Sequence, residues 1–168
     1  MFSAEIYDKV NFLLESCRAK GVHISTGESC TGGLIAAALT EISGSSDVFE
    51  RGFVTYQDQA KIENLGVSQQ TLVTYGAVSE PVAREMATGT LNQSQSQVSV
   101  AVTGIAGPGG GSPEKPVGLV HIVCCSTEGV SQHRRCEFGE IGRKGIRDAT
   151  VLEALDMLVQ IVAAYPSK

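Results

Sequence analysis

Apolar positions along the chain change their period several times, and each change marks an element. Ile6, Val10, Leu13, Leu14 and Cys17 recur at helical spacing up to Gly21, a residue suited to the position just past a helix end. The pattern predicts an amphipathic N-terminal helix. Val22 to Thr26 reads as a short strand and Leu34 to Ile42 as a mostly buried helix, leaving 27–33 as the turn of a strand-turn-helix unit. Phe49 to Tyr56 has the alternation and the β-branched and aromatic residues of a strand, and Gln59 to Leu65 reads as a short helix closed by Gly66. Ser68 and Ser79 are placed to cap the next two helices, the second running from Glu80 to Leu91 with Pro81 in its first turn. Gln97 to Thr103 has a buried-strand pattern and leads into a Gly/Pro-rich loop from Gly104 to Pro116. Val117 to Ser126 and Val130 to Phe138 form a hairpin around Glu128-Gly129, and Ile141 to Ala164 closes the chain as a long helix. Helices between early strands and a late hairpin imply an α/β fold: a three-layer α/β/α sandwich with a mixed, mostly parallel sheet, in one domain spanning 1–168.

Composition narrows the function classes. At 168 residues, 42% hydrophobic and 18% charged, the chain is globular and long enough for a sizeable core. A net charge of -5 argues against a general nucleic-acid binder, with basic residues concentrated only locally at Arg134, Arg135, Arg143, Lys144 and Arg147. The five cysteines are odd in number without repeated spacing, and Glu5, Asp8 and Lys9 stand where a signal peptide needs apolar residues. A reduced, cytoplasmic protein is expected. The longest uncharged stretch, Met86 to Pro113, is too rich in Gln, Ser, Gly and Pro to span a membrane. Cys124 and Cys125 are adjacent on a strand and point to opposite faces, and no His, Cys, Asp or Glu cluster has ligand spacing, so no structural zinc is expected. No cofactor is expected either.

Chemistry centres on Glu28-Ser29-Cys30-Thr31-Gly32-Gly33, between the first strand and its helix. A hydroxyl there lies near unpaired N–H groups and the positive end of the helix dipole, able to support an oxyanion or bind phosphate. The competing assignment is that Ser29 or Thr31 merely caps the helix. Cys30 is either a thiolate nucleophile or a small buried residue. The turn lacks the lysine of a P-loop and is not a Gly-x-Ser-x-Gly elbow. The loop bearing Gly104, Gly107, Gly109, Gly110 and Gly111 matches no nucleotide fingerprint either, and reads equally as a ligand cradle or a surface loop. A serine nucleophile needs a base. His23, His121 and His133 lie in predicted strands without an evident partner, whereas Lys61 follows the strand that ends at the same sheet edge; it is either a desolvated base or a solvated surface lysine.

Several blocks in order complete the pattern: ESCTGG at Glu28 to Gly33, GSS at Gly44 to Ser46, GFVTY at Gly52 to Tyr56 with Lys61 beyond, and LGV at Leu65 to Val67. GAVSEPV at Gly76 to Val82, TGIAGP at Thr103 to Pro108 and KPVG at Lys115 to Gly118 follow. On these the chain resembles the C-terminal domain of the competence/damage-inducible CinA proteins, a domain that also exists alone as nicotinamide mononucleotide deamidase. The resemblance implies a metal-free amidohydrolase converting nicotinamide mononucleotide and water to nicotinate mononucleotide and ammonia. It implies a Ser29 nucleophile, with Ser46 the lower-ranked alternative, a Lys61 base, and Tyr56 among the catalytic residues. Glu28, Cys30, Thr31, Gly32, Gly33, Ser45, Thr103, Gly104, Gly107, Arg143 and Arg147 are implied around the substrate, and a homodimer or larger assembly is expected. Two departures stand out: Ile141-Gly142-Arg143 replaces a common Gly-Asp-Arg, and Gly27 replaces a common alanine, a change expected to loosen the turn. The rival function is a nucleotide-binding regulatory module without turnover.

Overall fold

A computed structural model describes residues 2–166. Helix α1 (Ala4–Lys20) is capped by the Ser3 hydroxyl and ended by Gly21 in the left-handed region, burying the predicted apolar stripe. Strand β1 (Ile24–Glu28) leads through the turn to α2 (Leu34–Thr40), then to a short 3-10 turn (Ser45–Asp47) and β2 (Phe49–Val54). Helices α3 (Asp58–Leu65), α4 (Gln69–Tyr75) and α5 (Glu80–Asn92) follow, with Ser68 and Ser79 capping α4 and α5 as their positions predict. Strands β3 (Val98–Gly104), β4 (Leu119–Ser126) and β5 (Ser131–Glu137) precede the final helix α6 (Gly142–Ala164).

The five strands lie in the order β2-β1-β3-β4-β5. Strand β1 pairs in parallel with β2 and β3, and β4 runs antiparallel to both β3 and β5. Only β4 therefore opposes the common direction, and the sandwich has the mixed, mostly parallel sheet expected. Alternation along β3 and β4 divides the core. Val98, Val100, Val102, Val120, Ile122 and Cys124 pack on the face of α1, α2 and α6, whereas Ala101, Val123 and Cys125 pack under α5. The adjacent cysteines do face opposite layers.

Two glycines set how closely α5 approaches. A Cβ on Gly89 of α5 would lie 1.9 Å from the Leu65 carbonyl oxygen, so a glycine lets the end of α3 rest on α5 despite its cost to helix stability. Gly27 is buried within β1, not in the turn, and a Cβ there would meet Thr90 Oγ1 at 2.2 Å. Its role is close packing of β1 under α5, which replaces the loosening expected from sequence. Thr90 cannot yield freely, because its hydroxyl donates to the Met86 carbonyl at 2.8 Å. Gly27→Ala should accordingly lower stability by about 1–3 kcal/mol. In a Thr90→Ala background the same change should cost less than about 0.5 kcal/mol, a coupling that urea unfolding of the four-variant cycle measures. Equal costs in both backgrounds would remove the contact as the cause.

The histidines also differ from expectation. His121 Nδ1 and His133 Nε2 are 2.9 Å apart, and Glu80 Oε2 lies 3.4 Å from His133 Nδ1. Burial pushes the His121 pKa down to about 4, so the His121 ring is neutral in this row, which links the hairpin to the start of α5. The basic run disperses: Arg134 pairs with Glu153, Arg135 with Glu137 and Lys144 with Asp148. No helix among the described residues is long and apolar enough to cross a membrane.

Candidate active site

The parallel strands end together. Glu28 is registered with Val54 of β2 and Val102 of β3, so the segments leaving β1, β2 and β3 emerge at one sheet edge, where open α/β sheets place ligands. A cavity of about 290 Å³ opens there, lined by Ser29 and Cys30 from the first turn and by Tyr56, Asp58 and Lys61 from the β2–α3 segment. Ala77, Val78, Thr103, the Gly104–Gly110 loop and Arg143 complete its wall.

Glu28 explains the shape of the turn, and it does so against expectation. Helix α2 begins after Gly33, which sits at φ +92° and offers no side-chain cap, so neither Ser29 nor Thr31 caps it. The buried Glu28 carboxylate does. It accepts from Ile35 N at 3.0 Å and Ala36 N at 2.8 Å, and from the Thr31 hydroxyl at 2.6 Å. A carboxylate at the positive helix end satisfies amides that would otherwise be orphaned. Two expectations change. The amides of Ile35 and Ala36 are committed to Glu28 and cannot hold an oxyanion, and Glu28, Thr31, Gly32 and Gly33 shape the turn without lining the cavity. Arg147 acts likewise: its guanidinium donates to the Thr31 carbonyl at 2.6 Å and stays outside the cavity.

Ser29 faces the cavity and is nearly buried at 8% exposure, its backbone N–H tied to the Val102 carbonyl at 3.0 Å. Lys61 is the largest polar side chain in the interior, 1% exposed, with Nζ donating to the carbonyls of Thr55 at 3.0 Å and Tyr56 at 3.4 Å. This excludes the solvated-lysine assignment. Burial pulls the Lys61 pKa below its ordinary value, and Asp58 works in the opposite direction. Burial raises the Cys30 thiol to about 12, so Cys30 is a neutral wall residue and not a thiolate nucleophile.

Arg143 bridges the mouth, donating to the Gly107 carbonyl at 2.9 Å and to the Tyr56 hydroxyl at 2.8 Å. The Thr103 hydroxyl lines the cavity but donates to the Ala77 carbonyl at 2.9 Å, fixing the segment before α5. Gly104 and Gly107 lie on the cavity wall, and the loop that bears them forms one side of it. Among the described residues the amides of Ala106, Gly107, Gly109 and Gly110 have no oxygen acceptor, and neither have those of Cys30 and Thr31, so the loop adds donors to those of the turn.

Ser45 and Ser46 are elsewhere. They form the 3-10 turn before β2, whose Phe49 registers with Ile24 at the other end of β1, about 13 Å along the sheet from Glu28. Within the chain, Ser46 therefore does not share the cavity with Ser29, and its place as an alternative nucleophile is withdrawn. Asp58, Ala77, Val78, Ile105 and Ala106 were missed in the sequence. Asp58 carried a readable signal, standing three residues before Lys61 on one helix face. Among the described residues no three His, Cys, Asp or Glu side chains are grouped to hold a metal ion.

The sequence matches the family described as "CinA C-terminal domain" over residues 7–162. It is 46% identical to "Nicotinamide-nucleotide amidohydrolase PncC" of Escherichia coli (strain K12) over 147 residues, 87% of this chain and 88% of that protein. It is 49% identical to a "Putative competence-damage inducible protein" of Acetivibrio thermocellus over 141 residues, 84% of this chain. The chain spans only 34% of that longer relative's length. Among solved structures, the competence/damage inducible protein CihA from Agrobacterium tumefaciens superimposes with a TM-score of 0.95 at 52% identity, covering 96% of this chain and 98% of that one. The chain belongs to the CinA C-terminal domain family.

Proposed function

We propose that this chain is an amidohydrolase that converts nicotinamide mononucleotide and water to nicotinate mononucleotide and ammonia through a Ser29/Lys61 pair. The observation that carries this reading is a serine hydroxyl and a desolvated lysine on the wall of one cavity. The PncC relative's name supplies the substrate class. A cavity of about 290 Å³ is at the small end of ligand sites, which begin near ~300 Å³, and suits one mononucleotide.

In the reaction, neutral Lys61 takes the Ser29 proton as Oγ attacks the carboxamide carbon. The resulting oxyanion is met by amides of the Ala106–Gly110 loop. Lys61 then returns the proton to the departing nitrogen, releasing ammonia and leaving an ester on Ser29. Water, deprotonated by Lys61, cleaves that ester; the carboxylate leaves and Ser29 recovers its proton. Arg143, at the mouth, is the cation that orients the substrate, by its phosphate or its carboxamide.

The test is to incubate EDTA-treated protein with nicotinamide mononucleotide and follow ammonia and nicotinate mononucleotide together. Equal release of both is the expected result. Tight binding without release would replace this reading with a regulatory nucleotide-binding module.

A further inference from the structure

Lys61 has an ionic neighbour besides its hydrogen-bond acceptors. Besides the two carbonyls, its nitrogen lies 3.6 Å from Asp58 Oδ1, three residues earlier on α3. An ammonium has three protons and here meets two carbonyls and, at ion-pair distance, a carboxylate, whereas the neutral amine has two protons and a lone pair. The carbonyls of Thr55 and Tyr56 serve both states. Only the carboxylate distinguishes them, attracting the ammonium and repelling the lone pair. Asp58 lines the same cavity, with its side chain 59% exposed against 1% for Lys61.

We propose that Asp58 is the positioning residue for Lys61: it holds the ammonium at the cavity wall, governs how readily the nitrogen gives up its proton, and supports the charge Lys61 acquires during proton transfer. The inference rests on the Ser29/Lys61 reading only for its kinetic consequence; the physical coupling stands on the geometry alone. The other groups around the nitrogen do not substitute for Asp58. Cys30, from the β1–α2 turn, retains its proton; Tyr56 is present through its carbonyl; Arg143, from α6, carries the same charge as the ammonium and is bound to Gly107 and Tyr56. Glu28 is committed to α2.

Removing the carboxylate should have two effects of opposite sign. Lys61 becomes a free base at lower pH, and it also becomes a weaker base. For Asp58→Asn the acid limb of kcat/KM should move down by about half to one pH unit, raising the free-base fraction of Lys61 on the limb roughly three- to tenfold. The plateau should fall about two- to threefold, so the variant and native profiles cross. Asp58→Glu should restore the native limb.

The titration of Lys61 is measured directly by NMR of ¹³Cε-labelled lysine, with Lys61→Met identifying its signal. A Lys61 transition lowered by about half to one pH unit in Asp58→Asn and in Asp58→Ser, with the limb moving in parallel, is the expected result. An unmoved or raised Lys61 transition in folded variants overturns the inference. A lowered transition with a stationary limb sustains the coupling and instead removes Lys61 as the kinetic base. Thermal unfolding of the variants identifies any failure of α3, and the half-exposed Asp58 makes both substitutions compatible with the fold.

Discussion

Ser29→Ala is expected to fold normally, bind nicotinamide mononucleotide and release ammonia at least about a thousandfold more slowly than the native chain. The reason is the division of labour in the turn. Glu28, Thr31 and Arg147 hold its shape through contacts that do not involve the Ser29 hydroxyl, so removing that oxygen leaves the scaffold intact. Lys61→Met tests the other half. The thioether has nearly the volume of the lysine stem and carries no charge, so a side chain with 1% exposure is replaced without an uncompensated ion. Turnover should fall roughly 10²- to 10⁴-fold while stability holds or rises. Because the two groups act on one proton, the double variant should be little worse than the weaker single. Ser46→Ala, altered at the far sheet end, should keep most of the activity. Steady-state kinetics with urea unfolding on the same preparations checks all of these; near-native turnover in folded Ser29→Ala would remove Ser29 from the chemistry.

The layers of this fold were legible because they follow from period and punctuation. The helix stripe from Ile6 to Cys17, the serine caps at Ser68 and Ser79, and the opposed Cys124 and Cys125 all express local geometry repeated along an element. The cavity was partly legible for the same reason: Ser29, Tyr56, Lys61 and Thr103 sit at or just beyond strand ends, and parallel strands bring such ends together. What stayed hidden was partnership across sequence distance. Nothing local says that Glu28 reaches seven and eight residues ahead to cap α2, that His121 meets His133, or that Gly27 is small because Thr90 lies above it. Ser46 shows the converse error. Its block lies close to Ser29 in sequence, but α2 carries the chain to the other end of the sheet before the block begins.

Glu28 carries the largest structural prediction, because one carboxylate serves three donors in a site that is 1% exposed. In Glu28→Ala the amides of Ile35 and Ala36 and the Thr31 hydroxyl lose their acceptor together, and a buried donor without one costs about 1–3 kcal/mol. Some water entry offsets the sum, so a loss of roughly 3–5 kcal/mol is expected, which is a large fraction of a domain's stability. Glu28→Gln should be milder, at about 1–3 kcal/mol, because its amide oxygen replaces one carboxylate oxygen while its NH₂ group confronts an N–H donor. Both variants should also lose turnover, since the residue that anchors α2 immediately precedes Ser29, and a displacement of about 1 Å at a nucleophile costs roughly a hundredfold. This pairing separates Glu28 from Ser29: the serine variant loses rate without stability, whereas the glutamate variants lose both. Hydrogen exchange gives the local readout. The amides of Ile35 and Ala36 should exchange faster in folded Glu28→Gln than in the native chain, and unchanged protection there would show that another acceptor, not Glu28, holds the start of α2.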